Sequence, residues 1–366
     1  MHLLQTSATT LDDIVEPVDL GQTPGDIVVL SFADSDLAGL ATAYGQERGA
    51  LTSVRLAHLR DLRHPMSIDL WIDSVAQHAK VILVRLLGGL DWWRYGVESL
   101  SEMARARGIA LAVLPGEDRD DPRLFEASTL APEDLRNLLA YFREGGITNL
   151  QGLLRCLAAH AGARLDVPAP QSVPRMAGYM PGQGALPLDT VQAALTPDAP
   201  VVPILFYRAA VLATDTGPID GLCAALAARG LAPAPLFVPS LKDKEAGEFV
   251  RNAFAALSPA VVVATTAFAA GDGVFEGLEA PVLQAVIATT RRDAWVENPR
   301  GLGPADLAMH VVLPELDGRV LTGALGFKDA LPKDDALGFV AFASRPEPDR
   351  IDAVADKIAA FVKLQR

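Results

Sequence analysis

The chain has 366 residues, of which 50% are hydrophobic and 21% are charged, and this predicts a folded protein of two or three domains with a sizeable core. Its formal net charge is −13. An acidic surface of that size argues against binding to nucleic acid or to anionic membranes, because both are polyanions. The two cysteines, Cys156 and Cys223, are too few for a disulfide scaffold and form no CxxC zinc motif.

The N-terminal sequence and the apolar runs predict a cytoplasmic location. MHLLQTSATTLDDIVEP lacks the basic and then apolar regions of a secretory signal. The most apolar run, residues 260–270, is too short and too interrupted to span a bilayer.

In the first half of the chain, apolar strand candidates alternate with helical segments. The predicted strands lie at 26–32, 53–59, 81–87 and 109–114, and the predicted helices at 36–46, 67–80 and 96–107. Nearly continuous apolar strands with helical crossovers predict a parallel sheet that is covered on both faces. A further helical stretch, 132–161, is interrupted by Gly145-Gly146.

Residues 165–203 differ in composition from the rest of the chain, because they contain eight prolines and several glycines. Proline is excluded from helix interiors and central strands, so this segment is predicted to be an extended connection between domains.

The second half repeats the alternation of the first. The predicted strands lie at 203–207, 232–238, 260–265, 282–288 and 310–313, the predicted helices at 217–229 and 244–257, and a terminal amphipathic helix at 349–366. The predicted fold class is α/β, with two doubly wound, largely parallel-sheet domains of Rossmann or flavodoxin type. The predicted boundaries are 1–165 for the first domain with its helical extension, 166–202 for the connection, 203–345 for the second domain, and 346–366 for a helix leading to further domains.

The sequence contains no motif that binds the phosphates of a nucleotide. It has no GxxxxGK[ST], and neither Gly182-Gln183-Gly184 nor Gly271-Asp272-Gly273 forms a complete GxGxxG between a strand and a helix. The chain is therefore not expected to bind ATP itself.

Aromatic and basic residues follow several predicted strands, at the edge where parallel α/β sheets bind ligands. Such rings would stack on a planar ligand, and such cations would pair with its carboxylates. The alternative is that the rings plug the ends of the domain and the charges form local ion pairs. The residues concerned are Trp92, Trp93, Arg94 and Tyr95 after Gly88-Gly89, Tyr207, Arg208 and Lys242. At least one of the adjacent Trp92 and Trp93 is expected in the core, because neighbouring residues entering a helix point in different directions.

Two further groups of polar residues are candidates for a site. Glu315 and Asp317 are expected on a turn after a strand, where both carboxylates can face one cavity and bind a hard cation or take protons from pyrrole-type nitrogens. His310 stands in the same predicted strand and is a candidate metal ligand, although a histidine in a strand is more often packed. Gln284 and Trp295, with Arg291-Arg292 between them, form a second polar and aromatic group.

Several segments, taken in order, resemble one protein family. They are VRLLGGLDWWRYG, LPGEDRDDPRL, YFREGGITNL, PILFYRA, LFVPSLKDKE, ATTAFA, PVLQAVIATTRRDAW, GLGPADLAMHVVLPELDGRV and GFKD. Together they are similar to the N-terminal part of the large subunit of aerobic cobaltochelatase, which is related to the porphyrin-binding large subunit of magnesium chelatase. The resemblance spans residues 26–329.

The resemblance implies a function in cobalamin biosynthesis. The family's large subunit inserts Co²⁺ into hydrogenobyrinic acid a,c-diamide, while two smaller AAA+-type subunits hydrolyse ATP. Glu315 and Asp317 match the family's LPE-DG pattern and are predicted as catalytic residues, with Glu315 and His310 as metal ligands; the family is expected to carry Asn at the position of His310. The predicted substrate-binding residues are Trp92, Trp93, Arg94, Tyr95, Tyr207, Arg208, Lys242, Gln284 and Trp295.

Two alternatives stay open at the level of sequence. One is a relative of the magnesium chelatase large subunit that binds protoporphyrin, and the other is a non-catalytic tetrapyrrole-binding or scaffold protein. Because the family's large subunit is several-fold longer, the chain is expected to be an N-terminal portion that is inactive alone, or else a short paralogue.

Overall fold

The structure is a computed structural model that describes residues 16–116, 120–269, 273–297, 299 and 301–365. Residues 1–15, 117–119 of LPGEDRDDPRL, and Gly271-Asp272 therefore lie outside the described residues. The chain forms two compact units. The first comprises the described residues up to 143 with 151–169 and 333–339, and the second comprises 144–150, 170–332 and the described residues from 340 onwards.

The first unit contains a four-stranded sheet with the order β2-β1-β3-β4, in which all neighbours are parallel. The strands are β1 (Ile27–Ser31), β2 (Val54–His58), β3 (Val81–Leu86) and β4 (Ala110–Pro115). The helices of this half of the chain are α1 (Asp34–Glu47), α2 (Pro65–Ser74), α3 (Arg94–Arg107), α4 (Pro122–Ala127), α5 (Pro132–Glu144) and α6 (Gly146–His160). The almost fully buried strands confirm the predicted doubly wound parallel sheet.

The second unit contains an eight-stranded sheet with the order β12-β11-β10-β9-β7-β8-β5-β6. The strands are β5 (Ala177–Met180), β6 (Gly184–Leu186), β7 (Val201–Tyr207), β8 (Ala232–Val238), β9 (Val262–Ala264), β10 (Val282–Arg291), β11 (Val320–Ala330) and β12 (Phe342–Pro346). Its helices are α7 (Leu188–Ala193), α8 (Arg208–Leu212), α9 (Gly217–Ala227), α10 (Lys244–Leu257), α11 (Arg292–Glu297), α12 (Pro304–Leu307), α13 (Leu313–Glu315) and α14 (Pro348–Leu364).

Helices cover both faces of this second sheet. Helices α9 and α14 share one apolar core with Ile204 and Leu283, whereas α10 packs on the opposite face against Leu205 and Val262. The strands from β11 to β8 are parallel neighbours, and only β12, β5 and β6 pair antiparallel. The predicted fold class is thus confirmed in both units.

The proline-rich segment contains paired strands in addition to the extended chain that was predicted. Strand β5 pairs antiparallel with β8, and β6 pairs with β5, so the segment adds an edge hairpin to the second sheet. The two strands are short, and Pro181 and Pro187 directly follow them. The prolines made the whole segment resemble an extended connection, so the prediction missed the hairpin. Prolines at these positions are compatible with edge strands, which leave backbone groups unpaired.

Helix α14 is an integral part of the second unit. Ile351, Val354, Ile358 and Val362 form the buried face that the sequence predicted, and they pack in the core beside β11. Within the described ranges, no helix is both long and apolar enough to cross a lipid bilayer.

The predicted strand at 310–313 is wrong, because the chain there is helical. A π-helical turn, Ala308–Val312, joins α12 to α13. The buried residues Asp306, His310 and Pro314 recur every fourth position, which is a helical period. The prediction followed the β-branched pair Val311-Val312, but Val312 is 56% exposed and takes no part in the core.

Candidate functional site

Several of the predicted side chains contact residues 265–268. These residues follow β9 at the carboxyl edge of the second sheet. The hydroxyl of Tyr207, at the end of β7, donates a hydrogen bond of 2.9 Å to the carbonyl of Ala267. The ammonium of Lys242, after β8, lies 5.8 Å from the centroid of the Phe268 ring. Burial raises the pKa of Tyr207, so its phenol is a neutral donor at physiological pH.

The backbone is strained where this loop meets the helical segment. Phe268 has φ = +64°, a left-handed conformation that is costly for an aromatic residue. Its amide donates a hydrogen bond of 2.7 Å to the carbonyl of Met309, inside the π-helical turn. π-Helical turns and strained residues are both enriched at functional sites, so their meeting here marks a candidate site.

Arg319 is the centre of a buried polar network in this region. Its Nη1 donates to the carbonyl of Thr266 at 3.1 Å and to Oε1 of Gln284 at 3.0 Å, and its Nη2 donates to Oδ2 of Asp317 at 2.7 Å. The guanidinium lies 5.2 Å from the ring centroid of Phe275. Burial lowers the pKa of Arg319, and the Asp317 carboxylate opposes this effect. The predicted residues Gln284 and Asp317 are therefore held by one buried cation.

A second buried carboxylate, Asp306, is held by the end of β10. Its Oδ1 accepts from the amide and hydroxyl of Thr289 at 3.0 and 2.7 Å, and its Oδ2 accepts from those of Thr290 at 2.8 and 2.6 Å. Burial would raise the pKa of Asp306, but these four hydrogen bonds outweigh it and hold the pKa below its usual value. Asp306 is thus a fixed negative charge beneath the π-helical turn.

His310 projects from the π-helical turn beside this charge. Its side chain is 9% exposed, and its Nε2 lies 3.9 Å from Oδ1 of Asp306, beyond hydrogen-bond distance. Its Nδ1 is buried and has no hydrogen-bond partner among the described residues. Burial lowers the pKa of His310, and Asp306 opposes this, so the imidazole is neutral at pH 7 and keeps a lone pair.

The two predicted catalytic carboxylates lie in different surroundings. Glu315, in α13, is exposed, whereas the Asp317 side chain is 12% exposed and is bonded to Arg319. The chain turns after Asp317 at Gly318, whose φ of +71° suits glycine. In the part of the chain that the structure describes, no three or more His, Cys, Asp and Glu side chains converge as a metal site.

The first unit contains the segment WWRYG, whose four side chains have different environments. Trp93 is 4% exposed, and its Nε1 donates a 2.6 Å hydrogen bond to the carbonyl of Leu62, which confirms that one Trp of the pair belongs to the core. Trp92 is 57% exposed and meets the edge of the Phe32 ring.

The other two residues of this segment lie on the surface of the first unit. Arg94 forms ion pairs with Asp91 and Glu98. Tyr95 is 46% exposed and donates a 2.8 Å hydrogen bond to Asp69. Trp92 and Tyr95 are therefore the rings of this segment that a ligand can reach.

Arg208 and Trp295, two further predicted ligand contacts, interact with neighbouring residues of the second unit. Arg208 donates to the carbonyls of Pro174 at 2.9 Å and Val173 at 2.8 Å, which fastens the start of α8 to the proline-rich segment. Trp295 is not grouped with Gln284, since it stacks on Phe327 with ring centroids 4.5 Å apart.

Sequence reasoning missed Asp306, Thr289 and Thr290 as parts of this region. The available signal was a pair of threonines at the end of an apolar strand, followed by an aspartate in the first turn of a helix. Phe268 and Arg319 lie in two of the segments that resemble the family, ATTAFA and GLGPADLAMHVVLPELDGRV, but nothing in the sequence distinguished them from surface residues.

The sequence and the fold are those of a family of metal-chelatase subunits. The profile of the CobN/Magnesium Chelatase family matches residues 139–366, and the chain belongs to this family. Its relatives include the aerobic cobaltochelatase subunit CobN of Sinorhizobium sp, 38% identical over 100% of this chain and 30% of the relative, and that of Pseudomonas aeruginosa, 37% identical over the same shares.

More distant similarity extends to the magnesium branch of the family. A magnesium-chelatase subunit of Rhodobacter capsulatus is 26% identical over 81% of this chain and 26% of the relative. Among solved structures, the catalytic subunit of cobaltochelatase from Mycobacterium tuberculosis matches with a TM-score of 0.70 and 25% identity, over 90% of this chain and 26% of that chain. The family resemblance seen in the sequence is confirmed, and the chain spans less than a third of these relatives.

Proposed function

We propose that the chain carries part of the tetrapyrrole and cobalt site of a cobaltochelatase large subunit. The observation that carries the proposal is the 37–38% identity to cobaltochelatase subunits over the whole chain, against 26% to a magnesium-chelatase subunit over 81% of it. The proposed substrates are Co²⁺ and hydrogenobyrinic acid a,c-diamide. ATP is hydrolysed by two smaller AAA+-type partner subunits, in keeping with the lack of a phosphate-binding motif in this sequence.

Metal insertion requires that two ring nitrogens lose protons and that the cation loses water. Glu315 is an exposed carboxylate on a short helical turn, and we assign to it proton acceptance and contact with Co²⁺. His310 supports the same chemistry, because its neutral imidazole offers a nitrogen donor of the kind that binds divalent transition metals. Asp317, bonded to Arg319, fixes the turn that follows Glu315.

The planar ring of the substrate requires apolar surface and hydrogen-bond donors. In the second unit, Tyr207 and Lys242 meet at residues 267–268 and would face the edge of such a ring. In the first unit, considered by itself, the exposed rings of Trp92 and Tyr95 are each available to stack on a planar ligand.

A chimeric enzyme tests this function. The matching region of the Sinorhizobium cobaltochelatase subunit is replaced by this chain, and Co²⁺ insertion is measured with the two smaller subunits and ATP. We expect insertion by the chimera and a fall of about 100-fold or more in its Glu315→Gln variant, since general acid–base catalysis contributes at least that much. Glu297→Gln, at an exposed glutamate of α11, is the matched control and leaves the rate unchanged. Insertion of Mg²⁺ into protoporphyrin in place of Co²⁺ into the corrinoid ring would contradict the proposal.

A further inference from the structure

We infer that four arginines at the ends of β10, β12 and the start of α14 form a binding surface for the carboxylate groups of a small anionic ligand. The four are Arg291, Arg292, Arg345 and Arg350, and all are exposed. They stand together in the second unit of a chain whose net charge is −13. Two carboxylates lie among them, Asp293 beside Arg291 and Glu347 beside the other three, and the four guanidinium groups together would attract a ligand that carries several carboxylates.

The topology brings these arginines to one end of the sheet. Arg291 is the last residue of β10, Arg345 lies in β12 opposite Phe327 of β11, and Arg350 lies in the first turn of α14. Strands β10 and β11 are parallel, so their carboxyl ends lie at the same edge, where α/β sheets bind small ligands.

Aromatic rings orient two of the guanidinium groups. The Cζ atom of Arg291 lies 4.5 Å from the ring centroid of Phe342, and that of Arg350 lies 4.5 Å from the ring centroid of Trp295. Trp295 in turn stacks on Phe327 at an interplanar angle of 26°. A guanidinium fixed over an aromatic ring keeps its N–H edge available for a carboxylate and loses less entropy on binding. Trp295 therefore orients Arg350.

The arginines differ in how far the protein already neutralises them. Arg292 is engaged with Glu347 through two hydrogen bonds of 2.7 and 3.0 Å, and Arg291 has Asp293 at 3.5 Å. The side chains of Arg345 and Arg350 have no hydrogen bond and no carboxylate at ion-pair distance within the described ranges, and the Glu347 carboxylate, whose pKa both of them lower, is shared with Arg292. Arg350 also stands in the first turn of a helix, where the helix dipole disfavours a cation. A bound anion would offset the positive charge of these two side chains.

A ligand with two or more carboxylates fits this surface. Each arginine presents a planar fork that pairs with a carboxylate through two hydrogen bonds. Carboxylates on the rim of a tetrapyrrole are separated groups of this kind. This inference deepens the proposed function. That the ligand is a macrocycle rests on the proposed function, whereas the carboxylate groups of the ligand are inferred from the arginines.

Two probes and two matched variants test the surface in the full chain. The probes are uroporphyrin, a tetrapyrrole with carboxylates around its rim, followed by absorption, and tricarballylate, an aliphatic tricarboxylate, followed by calorimetry. Arg345→Gln/Arg350→Gln removes the two arginines without ion pairs. Arg175→Gln/Arg251→Gln removes the same charge from two other exposed arginines of the second unit. Thermal unfolding confirms that each variant is folded, and Arg345→Lys/Arg350→Lys keeps the charge but loses the fork.

We expect Arg345→Gln/Arg350→Gln to weaken the binding of both probes by about tenfold or more. The control pair should bind them as the unchanged chain does, and the affinity of the lysine pair should lie between the two. Equal binding by the unchanged chain and the glutamine pair overturns the inference; if uroporphyrin still binds, the proposed function survives. Arginine-dependent binding of tricarballylate without binding of uroporphyrin upholds the carboxylate surface and contradicts the proposed macrocycle. If neither probe binds, the inference fails, whereas the proposed function is decided separately by Co²⁺ insertion in the chimera.

Discussion

Asp306 and Arg319 are charged side chains that the second unit buries completely, and each is compensated in its own way. Asp306 receives four hydrogen bonds from Thr289 and Thr290, and Arg319 combines one carboxylate with neutral oxygens. A buried charge that loses its partner is strongly destabilising, because its desolvation is no longer offset. Both residues therefore stabilise the loop and helical turn that carry the candidate site.

Asp317 and Glu315 should respond very differently to truncation. Asp317→Ala leaves the buried Arg319 cation without its carboxylate, and we expect a loss of about 3 kcal/mol in the free energy of unfolding. Glu315→Ala removes an exposed side chain and should change this free energy by less than about 0.5 kcal/mol. Urea denaturation of both variants measures the difference. Equal stability of the two variants would show that the Arg319 network does not hold the turn.

His310 should make stability depend on pH. Its folded pKa lies below the usual value of 6.5, so the unfolded chain takes up a proton near pH 6.5 that the folded chain does not. Stability is therefore lost as the pH falls from about 7 through 6.5 toward the folded pKa. His310→Asn should make the change in urea midpoint between pH 7.5 and pH 5.5 smaller than in the unchanged chain. His78→Asn, at an exposed histidine, is the control. The same pH dependence in all three proteins would rule out a neutral buried His310.

The elements follow from the sequence where their period is clear. Apolar runs predicted the central strands of both sheets, and the spacing of apolar residues predicted α10 and α14 closely. The hairpin β5–β6 was hidden by its flanking prolines, and residues 310–313 were wrongly predicted as a strand because Val311 and Val312 favour strands. Both failures arise where tertiary contacts decide the structure, through pairing with β8 in one case and packing on β10 in the other.

Helix α3 provides a test of how the WWRYG segment packs. A side chain at Gly96 would overlap the indole of Trp93, which cannot move easily because it is buried and bonded to Leu62. Gly96→Ala should therefore destabilise the chain by about 1–3 kcal/mol. Gly45→Ala, in α1, meets no atom within 4 Å and should stabilise it by up to about 1 kcal/mol. Thermal unfolding measures both changes, and a stabilising Gly96→Ala would contradict the packing of Trp93.

At the scale of the whole molecule, the class of fold and the family were predictable, whereas the site was predictable only in part. Ordered motifs along the chain identified the family, because they combine many weak signals. Buried contacts such as Asp306 with Thr289 and Thr290 join residues that are distant in sequence, and no local pattern reveals them. The different surroundings of Glu315 and Asp317 follow from Arg319 in the same way.

Titration of the chain with hydrogenobyrinic acid a,c-diamide, followed by the visible absorption of the ring, tests the central claim most directly. We predict a saturable spectral change that is weakened in Trp92→Ala and is stronger than any change with protoporphyrin. Trp92 is preferred to the buried Trp93 for this test, because its removal leaves the core intact. An absorption spectrum that stays unchanged with the ring in excess would contradict the claim that this chain contributes to a tetrapyrrole site.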